Sequence, residues 1–263
     1  MRFADRTLGR TGLTVGPLGI AASYGAPAAA VERAVEAGLN YLYWGSLRTK
    51  AFAEALRHLA PSRDRLVLVV QSYSRSAALL TWSVERALRR IGYDHADVLL
   101  LGFWNGPVSP RIMEAARRLQ RRGLVNALAV SGHKRAALAG FAAGGGVDVL
   151  HVRYSASHPG AARDLFPHLP GGSGPGVVSF TALDYGRMVH PRYTPAGFRT
   201  PSAGDCYRFV LSHPAVDVCM TGPRSAADVE QIIAARELGP MSGDELAWMT
   251  RVGEAVAARR RRN

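Results

Sequence analysis

The chain has 263 residues, 48% of them hydrophobic, and a formal net charge of +13. That length suits one large domain with a full core rather than a small disulfide-held scaffold. The longest apolar stretches, Leu66–Val70 and Val98–Leu101, fall far short of the ~20 residues of a membrane-spanning helix, so no membrane partner is expected.

Arg6–Val15 reads as a β-hairpin, because Gly9 to Gly12 supplies turn chemistry between Leu8 and Leu13. A regular alternation follows. Strands are predicted over Val15–Ile20, Asn40–Trp44, Leu66–Val70, Asp97–Leu101, Val125–Val130, Val147–Val152, Gly176–Leu183 and Val216–Met220. Helices are predicted over Pro27–Ala37, Ala51–Leu59, Leu80–Ile91, Pro110–Arg122, Lys134–Ala143, Ala161–Leu169, Gly204–Ser212 and Ala226–Leu238. Leu80, Val84, Ala87, Leu88 and Ile91 share one helical face, and Gly92 follows as a stop. Pro110 opens one helix and Gly123 follows it. Ser242 and Glu245 form a capping box at the head of a further helix, Ser242–Ala257.

Eight β/α units in uniform alternation predict an α/β fold in which a parallel sheet closes into a (β/α)8 barrel, with an N-terminal hairpin and an extra C-terminal helix. No linker with a composition shift interrupts the chain, so residues 1–263 are read as one domain, with 258–263 a frayed basic tail. The long connection Asp184–Ala203 is rich in Gly, Pro and Arg. A connection of that length is either functional or mobile, and Arg187, Arg192 and Arg199 make an anion clamp or lid one of its two readings.

All but two of the 33 Lys and Arg residues, Lys50 and Lys134, are arginines. They fall mostly in helical patterns, such as Arg86, Arg89 and Arg90, without interleaved aromatics. That places them on solvated helix faces, and no nucleic-acid partner is expected. Cys206 and Cys219 lack metal-ligand spacing, which disfavours zinc and disulfides. The N-terminus has no apolar signal region. A cytoplasmic protein, monomeric or weakly self-associating and binding a small molecule, is the expectation.

A barrel of this kind carries its chemistry at the C-terminal ends of its strands. Read in order, those ends offer Ser23 and Tyr24, Tyr43 and Trp44, Gln71 and Tyr73, then Gly102, Trp104 and Asn105. Beyond them come Ser131 and His133, then His151, Arg153 and Tyr154, then Thr181, Asp184 and Tyr185, and last Arg224 and Ser225. This mouth is aromatic and amide-rich. It lacks the carboxylate pair of a glycosidase and any metal-ligand spacing. Tyr43 and Trp44 read either as packing or as a stacking platform for a planar ligand. His133 and His151 read either as hydrogen-bonded structural groups or as general bases.

The segments Leu8–Val15, Ala37–Tyr41, Arg86–Ile91 with Asp94 and Asp97, Gly123–Ser131, Thr221–Ser225 and Leu246–Trp248 together resemble the aldo-keto reductases, in order and over nearly the whole chain. That resemblance implies carbonyl reduction with NADPH by a tetrad of aspartate, tyrosine, lysine and histidine. The matching positions here are Tyr43, Arg48, Gln71 and Gly102, so the resemblance extends to no member of the tetrad.

The resemblance further implies an NADP(H) site. Ser131 matches the serine on the nicotinamide amide, and Phe180 the aromatic stacked on the ring. Thr181 and Leu183 follow it, and Gly222, Arg224 and Ser225 match the segment on the adenosine phosphate. Asp228 and Ile232 depart from the pattern, and Ser225 with Asp228 also reads as a helix-start capping box. The expectation is a divergent NADP(H)-linked oxidoreductase acting on a small carbonyl or alcohol, with Tyr43, Gln71, His133 and His151 as its catalytic candidates. The alternatives are a non-redox isomerase, lyase or cyclase with a histidine base, and a catalytically inactive binding protein.

Overall fold

The structure, a computed structural model, describes residues 2–45 and 47–262. Strands β1 (Arg6–Thr7) and β2 (Thr14–Val15) pair antiparallel as the predicted hairpin. Gly12 turns the chain at φ 73°, a left-handed conformation that a Cβ disfavours. Eight parallel strands follow: β3 (Leu18–Ala21), β4 (Tyr41–Trp44), β5 (Val67–Ser72), β6 (Ala96–Leu101), β7 (Val125–Gly132), β8 (Val149–Arg153), β9 (Gly176–Phe180) and β10 (Val218–Thr221). They pair in chain order and β10 closes on β3, so the predicted barrel is present.

The helices are α1 (Ala28–Glu36), α2 (Lys50–His58), α3 (Ala77–Ile91), α4 (Pro110–Arg121), α5 (Arg135–Gly144), α6 (Gly160–Asp164), α7 (Ala203–Leu211), α8 (Ala226–Leu238) and α9 (Gly243–Arg262). The predicted capping box of α9 is formed: Ser242 N–H reaches Glu245 Oε2 at 2.7 Å, and Glu245 N–H reaches Ser242 Oγ at 3.2 Å.

Alternation along the strands divides the core in two. One set of side chains fills the barrel: Tyr41, Val67, Val69, Val98, Leu100, Ala127, Ala129, Val149, Val178 and Val218, closed by Leu8 and Val15 of the hairpin region. The other set, including Leu42, Leu68, Val70, Leu99, Leu128 and Leu150, packs against the helices. Strands buried on both faces read as the continuous apolar runs seen in the sequence. A recurrent device ties neighbouring strands together near their starts. Asp97, Asp148 and Asp217 accept from the N–H groups of Leu68, Leu128 and Val177 at 2.7, 2.9 and 2.8 Å.

Four expectations change. The run Val15–Ile20 is divided at Gly16–Pro17, because Pro17 has no N–H for a ladder; its carbonyl accepts instead from Cys219 N at 2.8 Å. The helix expected over Ala161–Leu169 stops at Asp164 and gives way to a 3-10 turn, Phe166–His168, around Pro167. The connection Asp184–Ala203 folds into two 3-10 segments, and its arginines have internal partners. Arg187 faces Asp184 at 3.5 Å, Arg199 faces Asp205 at 2.8 Å, and Arg192 lies over Tyr193.

The fourth point concerns 258–263, expected to be a frayed tail; Asn263 lies outside the described residues. Helix α9 continues to Arg262. Arg259 donates to the Arg192 carbonyl, and Arg260 meets the buried Asp184 at 2.9 Å. A buried carboxylate recruits a cation, and that contact holds the helix end down.

Candidate functional site

The C-terminal ends of β4 to β9 form an aromatic mouth, and its backbone is locally unusual. All non-glycine residues with positive φ among those described lie in connections at this face: Arg48, Phe103, Thr181, Asp184 and Tyr185. Such conformations cost of order 1–3 kcal/mol each and concentrate at functional sites.

On one side stand Tyr43 of β4 and Gln71 of β5. The Tyr43 hydroxyl donates to Gln71 Oε1. Burial chiefly, then the Tyr73 phenol and a hydrogen bond to it, push the Tyr43 phenol above its ordinary range. A neutral tyrosine–amide pair thus occupies the two positions at which the resemblance implied an aspartate–lysine ion pair. A Cβ methyl at Gly102 would overlap the exposed ring of Tyr73. Tyr73 therefore fills the space next to the position implied for the tetrad histidine. Arg48 lies exposed in the connection after β4, at φ 51°.

On the other side stand Ser131, His133, Arg153 and Phe180. Arg153 and Phe180 are register partners on β8 and β9. Ser131 Oγ accepts from Phe103 N–H at 3.0 Å, so its own hydroxyl proton is available to a ligand. The Asn105 side-chain carbonyl accepts from His133 N–H and Lys134 N–H at 2.7 and 3.0 Å, fixing the start of α5. The His133 ring meets Phe103 edge-on at 4.9 Å and Phe180 at 6.0 Å.

Arg153 Nη2 lies 3.3 Å from His133 Nε2. A guanidinium only donates, so Nε2 accepts and the neutral ring carries its proton on Nδ1. Burial first, and then the Arg153 charge, lower the His133 pKa. With its accepting nitrogen occupied and a fixed cation beside it, His133 is poorly disposed to act as a base.

His151 lies one layer deeper in the barrel, 3% exposed, with its Nε2 2.8 Å from the Tyr41 hydroxyl. Burial lowers its pKa to about 3. It is a neutral, satisfied core histidine. Of the four catalytic candidates, the fold therefore brings Tyr43, Gln71 and His133 to the mouth and buries His151 beneath it.

The candidate cofactor residues follow the rim from β7 to β10. Phe180 and Thr181 lie at the end of β9, with Leu183 packed against the helix-facing core. Gly222, Arg224 and Ser225 lead into α8. Ser225 caps that helix, accepting from Asp228 N–H at 3.1 Å. Asp228 returns its carboxylate bond to Arg224 N–H at 2.8 Å, one residue upstream of a true capping box. The Arg224 side chain is 77% exposed, with Asp228 its charge partner at 3.8 Å. The Tyr24 ring covers Gly222, and Ile232 is buried in the core.

One residue, Arg75, and the partners of another, Asp184, escaped the sequence reading. Arg75 lies 3.9 Å over the Trp104 ring and donates to the carbonyls of Tyr73, Gly102 and Phe103 at 3.1, 3.2 and 2.6 Å. Asp184, 1% exposed, gathers Ser157, His158, Arg187 and Arg260. Its place at the end of a barrel strand was visible, but its partners were not, because they come from distant segments.

No family model matches the chain, and no curated protein matches it. Solved structures do. The overall fold is similar to that of an aldo-keto reductase of Bacillus halodurans in its holo form. The TM-score is 0.77 at 19% identity, over 95% of this chain and 96% of that one. An aldo-keto reductase of Klebsiella pneumoniae in complex with NADP and acetate gives a TM-score of 0.76 at 22% identity, over 94% of each chain. An aldo-keto reductase of Klebsiella pneumoniae in complex with NADPH gives 0.75 at 22% identity, over 96% of each chain. At such identities the likeness is one of fold.

Proposed function

We propose that the chain is an NADP(H)-binding barrel of the oxidoreductase type, acting on a small carbonyl or alcohol with an altered proton donor. The observation that carries this reading is end-to-end agreement of fold with barrels solved with NADP and NADPH, joined to a rim that keeps suitable groups at both ends. Ser131 and the half-buried Phe180 ring suit an amide and a planar ring. Arg224, exposed at the head of α8, suits a phosphate. The nicotinamide, when bound, supplies or accepts hydride.

The residues of the mouth supply the proton. Tyr73 is exposed and linked to Tyr43, which is in turn anchored on Gln71. Tyr73 is the donor to a developing alkoxide, and the Tyr43 oxygen, whose own proton is on Gln71, lies beside it as an acceptor. Without a lysine beside either phenol the donor is weak, so turnover is slow. Measured with NADPH and a panel of aldehydes, Tyr73→Phe lowers kcat by about 10²-fold or more, the span of general-acid catalysis, and leaves NADPH affinity unchanged. An unaltered kcat assigns the proton to water and removes the tyrosines from the mechanism.

The neutral Tyr43–Gln71 pair also favours a second reading, a barrel that binds the nucleotide without turning it over. NADPH binding with no oxidation across the panel selects that reading.

A further inference from the structure

We propose that Arg153 is the anchor for a carboxylate on the substrate, so that the ligand of this mouth is a small organic acid whose carbonyl lies on an apolar body. The inference deepens the proposed function and rests on that reading for the carbonyl, but not for the acid.

The argument begins with where Arg153 stands. On β8 the residues alternate between the barrel interior, Val149 and His151, and the helix-facing core, Leu150 and Val152. Arg153 continues the inward set and is the last residue of the strand, which brings its guanidinium to the mouth beside His133. The flanking surfaces are the rings of His133, Phe103 and Phe180.

Its partners are the second point. Among the described residues Arg153 makes no ion pair with a carboxylate. Its one hydrogen bond goes to the neutral His133 Nε2, and its Nε is buried without a hydrogen-bond partner. The buried carboxylate of the connection after β9, Asp184, pairs with Arg260 and Ser157 through Oδ2 and faces Arg187 at 3.5 Å through Oδ1, which has no hydrogen bond. Elsewhere in the fold arginines meet carboxylates: the half-buried Arg63 meets Asp97 at 2.9 Å, although its Nε also lacks a hydrogen-bond partner, and the buried Arg208 meets both oxygens of Glu245 at 2.7 and 3.0 Å. A desolvated guanidinium without an anion is costly, and its planar fork matches a carboxylate bidentately.

The rim adds to the same field. Arg75, packed on Trp104, binds three backbone carbonyls and, among the described residues, no carboxylate. The mouth is therefore cationic and aromatic, a combination that fits an acid with a flat or apolar body and disfavours a neutral polar one.

The test uses the full-length protein and two probes of nearly the same shape, 4-carboxybenzaldehyde and its methyl ester, titrated by calorimetry without nucleotide and again with NADPH. The acid is expected to bind at least about tenfold more tightly than the ester, as one charge-assisted contact allows. Arg153→Gln is expected to abolish that preference while leaving ester affinity unchanged, and Arg153→Lys to retain part of it. Equal binding of acid and ester by the unaltered protein overturns the proposal, as does an equal loss of both in Arg153→Gln with Arg153→Lys still folded. Because the first titration contains no nucleotide, a failure of NADPH to bind sinks the oxidoreductase reading and leaves the anchor standing. An acid preference that is missing while NADPH binds does the reverse.

Discussion

At the scale of single residues, two histidines that look alike in sequence have different fates. His133 follows the end of β7 and shares its accepting nitrogen with Arg153, whereas His151, two residues before the end of β8, points into the core and meets Tyr41. Strand position was legible; the cross-barrel partner was not, because Tyr41 and His151 are brought together only by closure of the sheet. The consequence is measurable. His151 is held at about 3 by burial, below its ordinary 6.5, so the unfolded chain takes up the proton first. Its neutral form contributes full stability above pH 6.5, and that contribution is lost as pH falls toward about 3. In His151→Gln the urea midpoint should fall less steeply across that window than in the unaltered protein. An identical slope would mean that His151 already carries a proton in the fold.

Gly102 makes a second point at this scale. A side chain there must displace the Tyr73 ring, which is exposed and has solvent to move into. Gly102→Ala should therefore cost little stability, under about 1 kcal/mol, in the range of ordinary surface changes. It should also lower carbonyl turnover through the shifted phenol. A large fall in the thermal midpoint with unchanged turnover would separate Tyr73 from the site.

At the scale of elements, the strands and most helices were readable because each had its own period and its own stop signal, such as Gly92 after α3. What escaped is of another kind. The terminal arginines carried no periodic signal separating a solvated tail from a helix end, since their partners, the Arg192 carbonyl and Asp184, lie far back in the chain, in the connection after β9. The same blindness hid the internal pairing of Arg187 and Arg199. The structure predicts that Arg260→Ala leaves a buried carboxylate short of its cation. Removing one side of a buried pair costs about 3–5 kcal/mol. Arg187 at 3.5 Å and Ser157 at 3.2 Å remain, which places the loss near ~3 kcal/mol at most. Urea unfolding of Arg260→Ala and Arg259→Ala checks this: the first should be clearly the less stable. Equal stabilities would return the segment to the status of a loose tail.

At the scale of the whole molecule, the barrel accounts for where chemistry sits and the net charge of +13 for what it attracts. A strongly cationic surface draws anions from a distance and does so less at high salt. The candidate rim runs from Ser131 at the mouth to Arg224 at the head of α8, and the account stands on that rim holding an NADP-type nucleotide. Calorimetric titration of NADPH and NADH into the full-length protein and into Arg224→Ala is the most direct test. The account predicts that NADPH binds more tightly than NADH, and that Arg224→Ala removes most of the difference while leaving NADH unchanged. No binding of NADPH at millimolar concentration, or equal binding of the two nucleotides by the unaltered protein, would contradict it.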